Sequence, residues 1–269
     1  MKYLLEFFTF LYEKNASYSS INTAKSALLT IVSVNGSKQW NNESDILRFF
    51  KGIFNLKPPK PRYTTTWDVD ILLRFLKSFM PLKDLPLKEL TLKAVALTAL
   101  VSGSRAQTIH EMKVSLCTKS DNKMCFMFDT TLKTSKTSKK ASVLVVHKFH
   151  DESLCVFLTL KEYITRTQHI RNSDHFWLSW KKPHNQIGRQ TVSRWLKQCL
   201  MLCGIDKDQF TEHSTRMAST SKAHAMGVGL STILDTAGWN SENNFVKFYK
   251  REIGTKEESY ADAVLDLAK

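Results

Sequence analysis

Apolar positions recur at helical spacing through the first 57 residues. Leu4, Leu5, Phe7, Phe8, Leu11 and Tyr12 form one stripe, and Ile21, Ala24, Leu28 and Val32 form a second. A third, made by Ile46, Phe49, Phe50, Ile53 and Phe54, follows an Asn41-Asn42 turn. Ser19-Ser20 offer capping oxygens before the second stripe. The pattern predicts a small helical domain over residues 1–57. Lys57-Pro58-Pro59-Lys60-Pro61-Arg62 then interrupts it, because three prolines cannot continue a helix and favour an extended connector. Residues 58–66 therefore read as a basic linker and 67–269 as a second domain.

Helical patterns resume at 67–80 and 87–101, the second stopped by Ser102-Gly103. Met124-Cys125-Phe126-Met127-Phe128 and Val143-Leu144-Val145-Val146 are short β-prone runs separated by a Lys/Thr/Ser-rich stretch, the pattern of a hairpin with a polar tip. Further helices are predicted at 154–165, 191–203, 213–226, 231–237, 243–250 and 256–267, with a strand at 176–180. The fold class is mainly α with a small antiparallel β-sheet (α+β). Glu6 breaks the opening apolar run, which reads as a folded helix and not a signal peptide. No stretch approaches the roughly 20 apolar residues of a membrane span.

Composition adds a partner. Against 25 Asp and Glu stand 39 Lys and Arg, a net charge of +14, which suits a polyanion. The excess is clustered: between His175 and Ile205 lie Lys181, Lys182, Arg189, Arg194 and Lys197 and no acidic residue. With Lys60 and Arg62 of the linker and Lys136 of the hairpin tip, they are the candidate DNA-binding residues. The five cysteines sit in apolar or periodic segments and read as reduced core thiols. Cys199 and Cys203, and His147 and His150, are spaced closely enough to suggest a metal site, but no further pair completes one and packing explains both.

Candidate chemistry lies in four separated segments: Ser102-Gly103-Ser104-Arg105, His213-Ser214-Thr215-Arg216, Gly238-Trp239 and Phe248-Tyr249-Lys250-Arg251. Taken singly, Arg105 reads as a surface ion pair, Trp239 as core and Tyr249 as a helix anchor. Taken in order, they resemble the signature of the tyrosine recombinase (phage integrase) family: an arginine, a hairpin lysine, His-x-x-Arg, a His or Trp, and a C-terminal tyrosine. Phe210-Thr211-Glu212-His213-Ser214-Thr215-Arg216, Ala237-Gly238-Trp239-Asn240 and Arg189-Gln190-Thr191-Val192-Ser193-Arg194-Trp195 look most like recombinases of eukaryotic DIRS-type or Crypton mobile elements.

The resemblance implies a helical core-binding domain followed by an integrase-like catalytic domain. It implies that Tyr249 attacks a DNA phosphate to give a 3′-phosphotyrosyl intermediate, with no metal or nucleotide cofactor. The chemistry has a physical logic. In-line attack develops negative charge on the non-bridging oxygens, which arginine forks at Arg105 and Arg216 can hold. Free tyrosine has a pKa of about 10, so its proton needs an acceptor, for which His213 is the candidate. The leaving 5′ oxygen needs a proton, which a hairpin lysine can give. Lys133, expected where the first strand ends, is the choice over Lys136, Lys139 and Lys140. Trp239 is expected to donate its indole N–H and pack the tyrosine helix.

Two departures from the family pattern stand out. Thr108 occupies a position that is often acidic, and the Trp239-to-Tyr249 spacing is one residue longer than in many prokaryotic members. A double-stranded DNA partner, a homo-tetramer on DNA and, for a eukaryotic element, a nuclear location follow from the resemblance. Tyr260, Ala261, Val264, Leu265 and Ala268 make an apolar stripe on a terminal helix that either docks on its own domain or reaches a neighbouring protomer. A topoisomerase-like nicking and resealing enzyme and a non-catalytic DNA-binding module are the rival readings. The intact set of six residues argues against the second.

Overall fold

Phe8, Ile21, Leu29, Ile46, Phe50 and Ile53 meet as the buried core of the first of two units, Met1–Arg62. They come from helices α1 (Lys2–Glu13), α2 (Tyr18–Val34) and α3 (Ser44–Leu56). The computed structural model describes residues 2–34, 43–59, 63–132, 143–239, 242, 245 and 251–253. The cap of α2 is not the one expected from Ser19-Ser20. The helix already begins at Tyr18, so Ser17 is the cap and its Oγ accepts from Ser20 N at 3.1 Å. Lys57 closes the turn between α1 and α2, its Nζ donating to the carbonyls of Asn15 (2.9 Å) and Ala16 (3.1 Å). The apolar stripe of α1 is narrower than the sequence suggests, since Phe7 is exposed.

The second unit, Tyr63–Lys269, is built round one helix. It contains β1 (Thr65–Thr66), α4 (Val69–Lys77), α5 (Leu87–Ser102), α6 (Ala106–His110), β2 (Cys117–Lys119), β3 (Lys123–Met127) and β4 (Val143–His147). Then come α7 (Val156–Thr167), α8 (Arg189–Leu202), α9 (Glu212–Ala225), α10 (Leu230–Ala237) and β5 (Glu252–Ile253). Residues of α5 are buried on every side, with Leu90, Ala94 and Leu97 as well as Thr91, Thr98 and Ser102 inside. A helix this apolar all round belongs at the centre of a core, and α7, α8 and α9 pack against it. The hydroxyls of Thr91, Thr98 and Ser102 donate to carbonyls one turn back, so they enter the core satisfied.

β2, β3 and β4 form an antiparallel sheet in which Met124 pairs with Val146 and Phe126 with Leu144. These four side chains point into the core, while Met127, Val143 and Val145 alternate outward and are exposed. The expected α+β class holds, although β2 and α6 carry too short a pattern to be read from sequence. The strand expected at 176–180 is absent. Phe176, Trp177 and Leu178 are all buried, and the backbone of this segment bonds in different directions, Phe176 N to Met112 O and Leu178 N to the Tyr163 hydroxyl. Only single bridges remain, Lys113 to His175 and Leu178 to Gln186. Residues 63–66, read from sequence as the end of the linker, belong to the second unit. There Thr65 and Thr66 pair in parallel with Glu252 and Ile253. Among the described residues no helix is long and apolar enough to cross a membrane.

Lys93 sits inside α5 at 0% exposure, its Nζ donating to Phe79 O at 2.6 Å. Burial lowers its pKa from 10.5 to about 8, against the opposing pull of Asp151. Between about pH 8 and pH 10.5 the unfolded chain therefore binds the proton that the folded one has lost, and stability rises with pH. Urea unfolding of wild type and Lys93→Met at pH 7.5, 9 and 10 should show this rise in the wild type and its loss in the variant.

Candidate active site

Arg216 lies on α9 with only 3% of its surface exposed, so its charge must find partners inside the protein. Its Nη1 donates to the Gly103 carbonyl at 2.6 Å, and its guanidinium carbon stands 4.1 Å from the centre of the Trp239 ring. Both partners are placed by helix ends. Gly103 terminates α5 in the left-handed region (φ 54°), and Gly238 does the same for α10 (φ 67°), one residue before Trp239. Trp239 is buried, and it also packs on Phe245, wholly buried at 5.4 Å between ring centres. Phe245 carries no motif. An aromatic after two asparagines was the one available signal in the sequence.

Two residues past Gly103, Arg105 precedes α6 and faces the same cleft as Arg216. This cleft, about 650 Å³, runs between the end of α5, strand β4 and the end of α10. Ser104, Thr108, Val145, His147 and Asp235 contribute to its wall. Thr108, at the position where the family pattern is often acidic, therefore reaches the cleft as a neutral hydroxyl. His147, read from sequence as a packing residue, is instead exposed on the outward face of β4 and lines the cleft. The alternation Val143, Val145, His147 was the signal for it. His150 is also exposed, with its ring against Phe149.

His213 is exposed in the first turn of α9, one turn before Arg216, and is not part of the cleft wall. The cleft thus joins Arg105 to Arg216, with Trp239 behind Arg216 and His213 outside the wall. Tyr249, Lys133, Lys136, Lys60, Arg62 and the predicted terminal helix lie outside the described residues. Leu132, the residue before Lys133, is buried and lines the cleft. β3 ends at Met127, so Lys133 follows the first strand by several residues instead of ending it. Among the described residues no group of His, Cys, Asp or Glu is arranged to hold a metal.

The described basic candidates of the second unit are exposed: Lys181 and Lys182 on the loop before α8, and Arg189, Arg194 and Lys197 on α8 itself. Val192, Trp195, Leu196 and Cys199 face the core, leaving Arg194 and Lys197 on the outer side. Trp180 stacks on Trp195 at 4.6 Å and ties the loop to the helix. Arg189 also approaches Glu111 at 3.6 Å, an exposed arginine beside a mostly buried carboxylate.

A mainly helical unit with a three-stranded sheet thus carries a cleft with two arginines on its wall and a tryptophan packed under one of them. The chain belongs to the phage integrase family, whose sequence profile matches residues 67–253. No curated protein matches the chain in sequence. Several solved structures share its fold. One is the Tn1549 transposon integrase in complex with transposon right end DNA (TM-score 0.61, 12% identity, covering 91% of this chain and 79% of that one). Another is the XerH site-specific recombinase bound to a palindromic difH substrate (0.60, 15%, 90% and 66%). A third is a lambda integrase dimer bound to a COC′ core site (0.58, 14%, 96% and 82%). The chain spans less than two thirds of the XerH chain's own length, 66% here and 48% against a pre-cleavage complex.

Gly103 is the point on which the geometry of both arginines turns. A Cβ there would stand 3.3 Å from both Ala237 Cβ and Thr220 Cγ2, in a backbone region that side chains avoid. Gly103→Ala should lose about 1–3 kcal/mol of stability in urea unfolding. An unchanged midpoint would mean that the turn relaxes without strain.

Proposed function

We propose that this protein is a site-specific DNA recombinase of a mobile element, cleaving and rejoining duplex DNA through a 3′-phosphotyrosyl intermediate on Tyr249. The observation that carries the reading is the convergence of Arg105 and Arg216 on one cleft, with Arg216 held rigid by Gly103 and Trp239. Two guanidinium forks on one wall suit the non-bridging oxygens of a phosphodiester under attack. Leu132 on that wall supports Lys133 as the proton donor to the 5′ oxygen, since adjacent Cα atoms are about 3.8 Å apart. His213, one turn before Arg216, takes the tyrosine proton or bonds the phosphate. Neither step calls on a metal or nucleotide.

Relatives of this fold that are bound to DNA substrates support duplex DNA as the partner, and a lambda integrase tetramer bound to a Holliday junction supports a tetrameric assembly. Lys60, Arg62, Lys136, Lys181, Lys182, Arg189, Arg194 and Lys197 supply the backbone footprint in this reading. The stripe of residues 260–268 docks on a neighbouring protomer, and a DIRS-type or Crypton origin places the protein in the nucleus.

Incubation with a pool of nicked duplexes, randomised around the nick, tests the chemistry. Wild type should leave a covalent protein–DNA band on a denaturing gel, and Tyr249→Phe should bind DNA but leave none. A band from the phenylalanine variant would move the nucleophile elsewhere. Affinity should also fall steeply with salt, with a log–log slope on the order of −4 if the five basic residues of the α8 region meet phosphates. A slope near zero would remove the footprint.

A further inference from the structure

The short segment that follows Tyr249 is tied down by contacts that the proposed chemistry does not use. Arg251 N donates to Ser221 Oγ on α9 at 3.2 Å, and Arg251 Nε donates to the Tyr63 carbonyl at 3.0 Å. Glu252 and Ile253 continue as β5, paired in parallel with Thr65 and Thr66. A pair only two residues long is marginal by itself, so the contacts of Arg251 must help to hold it.

The same strap, residues 63–67, also grips the start of α9. The Tyr63 hydroxyl lies 2.9 Å from Thr211 Oγ1 and accepts from Thr211 N at 3.3 Å, and its ring stacks on Phe210 at 5.6 Å. Trp67 Nε1 donates to Ser214 Oγ at 2.8 Å. Thr211 and Ser214 flank His213, and Arg216 lies within the same turns. One strap therefore fixes both the helix that carries His213 and Arg216 and the chain two residues beyond Tyr249. Two peptide units limit the distance between the Cα atoms of Tyr249 and Arg251 to about 7 Å. Wherever Arg251 is pinned, the backbone of the nucleophile is confined with it.

We propose that Arg251 and Tyr63 are positioning residues for strand cleavage, setting the tyrosine's place relative to His213 and Arg216. This rests on Tyr249 being the nucleophile. Arg251 stands two residues past Tyr249 in the chain. Here its Nε is directed inward to a main-chain carbonyl, and the side chain is not on the cleft wall. Its effect is on geometry, and a misplacement of about 1 Å can lower a rate about 10²-fold.

The test uses the full chain and the nicked duplex recovered from wild-type covalent capture, with Tyr249→Phe as control. Arg251→Met keeps the apolar stem and removes the donor, while Arg251→Lys restores a donor. Tyr63→Phe keeps the ring and the carbonyl but removes the hydroxyl. At saturating DNA, adduct formation by Arg251→Met should slow at least tenfold with Kd and the urea midpoint nearly unchanged. Arg251→Lys should recover part of the rate, and Tyr63→Phe should show a smaller loss. A wild-type rate in Arg251→Met overturns the proposal. So does a loss that follows affinity or folded fraction, which marks Arg251 as a DNA contact or a purely structural residue. An adduct that survives in Tyr249→Phe, or is absent from wild type, sinks the nucleophile assignment itself and the positioning role with it.

Discussion

A guanidinium buried at 3% exposure is the constraint round which the second unit is organised. A charge taken out of water needs hydrogen-bond acceptors and polarisable neighbours in fixed places, and Arg216 finds them in the Gly103 carbonyl and the Trp239 face. Gly103 can present that carbonyl only because α5 ends in a left-handed residue that sits close against Ala237 and Thr220. Trp239 is available because α10 ends in the same way one residue earlier. The ends of α5 and α10 are thus locked to α9 by one side chain. Arg105 emerges from the same turn two residues after Gly103.

That arrangement gives the cleft its character. One side is cationic and rigid; the opposite side is the outward face of β4, apolar at Val143 and Val145 and ending in His147. Asp235 adds the one carboxylate among the described residues of the wall. A ligand that fits must bring negative charge to the arginines and tolerate an apolar flank. The nucleic-acid backbone proposed as its ligand would meet both demands. The basic outer face of α8 lies on the same unit, with its aromatic pair Trp180 and Trp195 holding the preceding loop in place.

The strap of residues 63–67 joins elements that are far apart in sequence. Tyr63 and Trp67 reach α9 nearly 150 residues away, and Thr65 and Thr66 pair with β5 more distant still. Pairings of this kind form late, because the loop-closure entropy must be met before the contacts can offset it. They also explain why the linker read from prolines and charge extends too far: nothing local marks Tyr63 as the first residue of the second unit.

Local pattern alone determined the three helices of the first unit, the buried α5 with its glycine stop, the β3–β4 hairpin and the α+β class. Each rests on periodicity or a turn residue within one short window. The family was likewise legible, because its ordered motifs survive as spacing where identity to solved structures of the same fold falls to 12–15%. Tertiary structure decided what those windows cannot contain. It turned the expected strand at 176–180 into a buried irregular segment, since its backbone is satisfied by Met112 and Tyr163 from elsewhere in the chain. It moved His147 from assumed packing to the cleft wall and set Trp239 beneath Arg216. It also directed Arg251 inward to Tyr63. Each of these outcomes depends on which distant groups share one small volume, and sequence spacing carries no information about that.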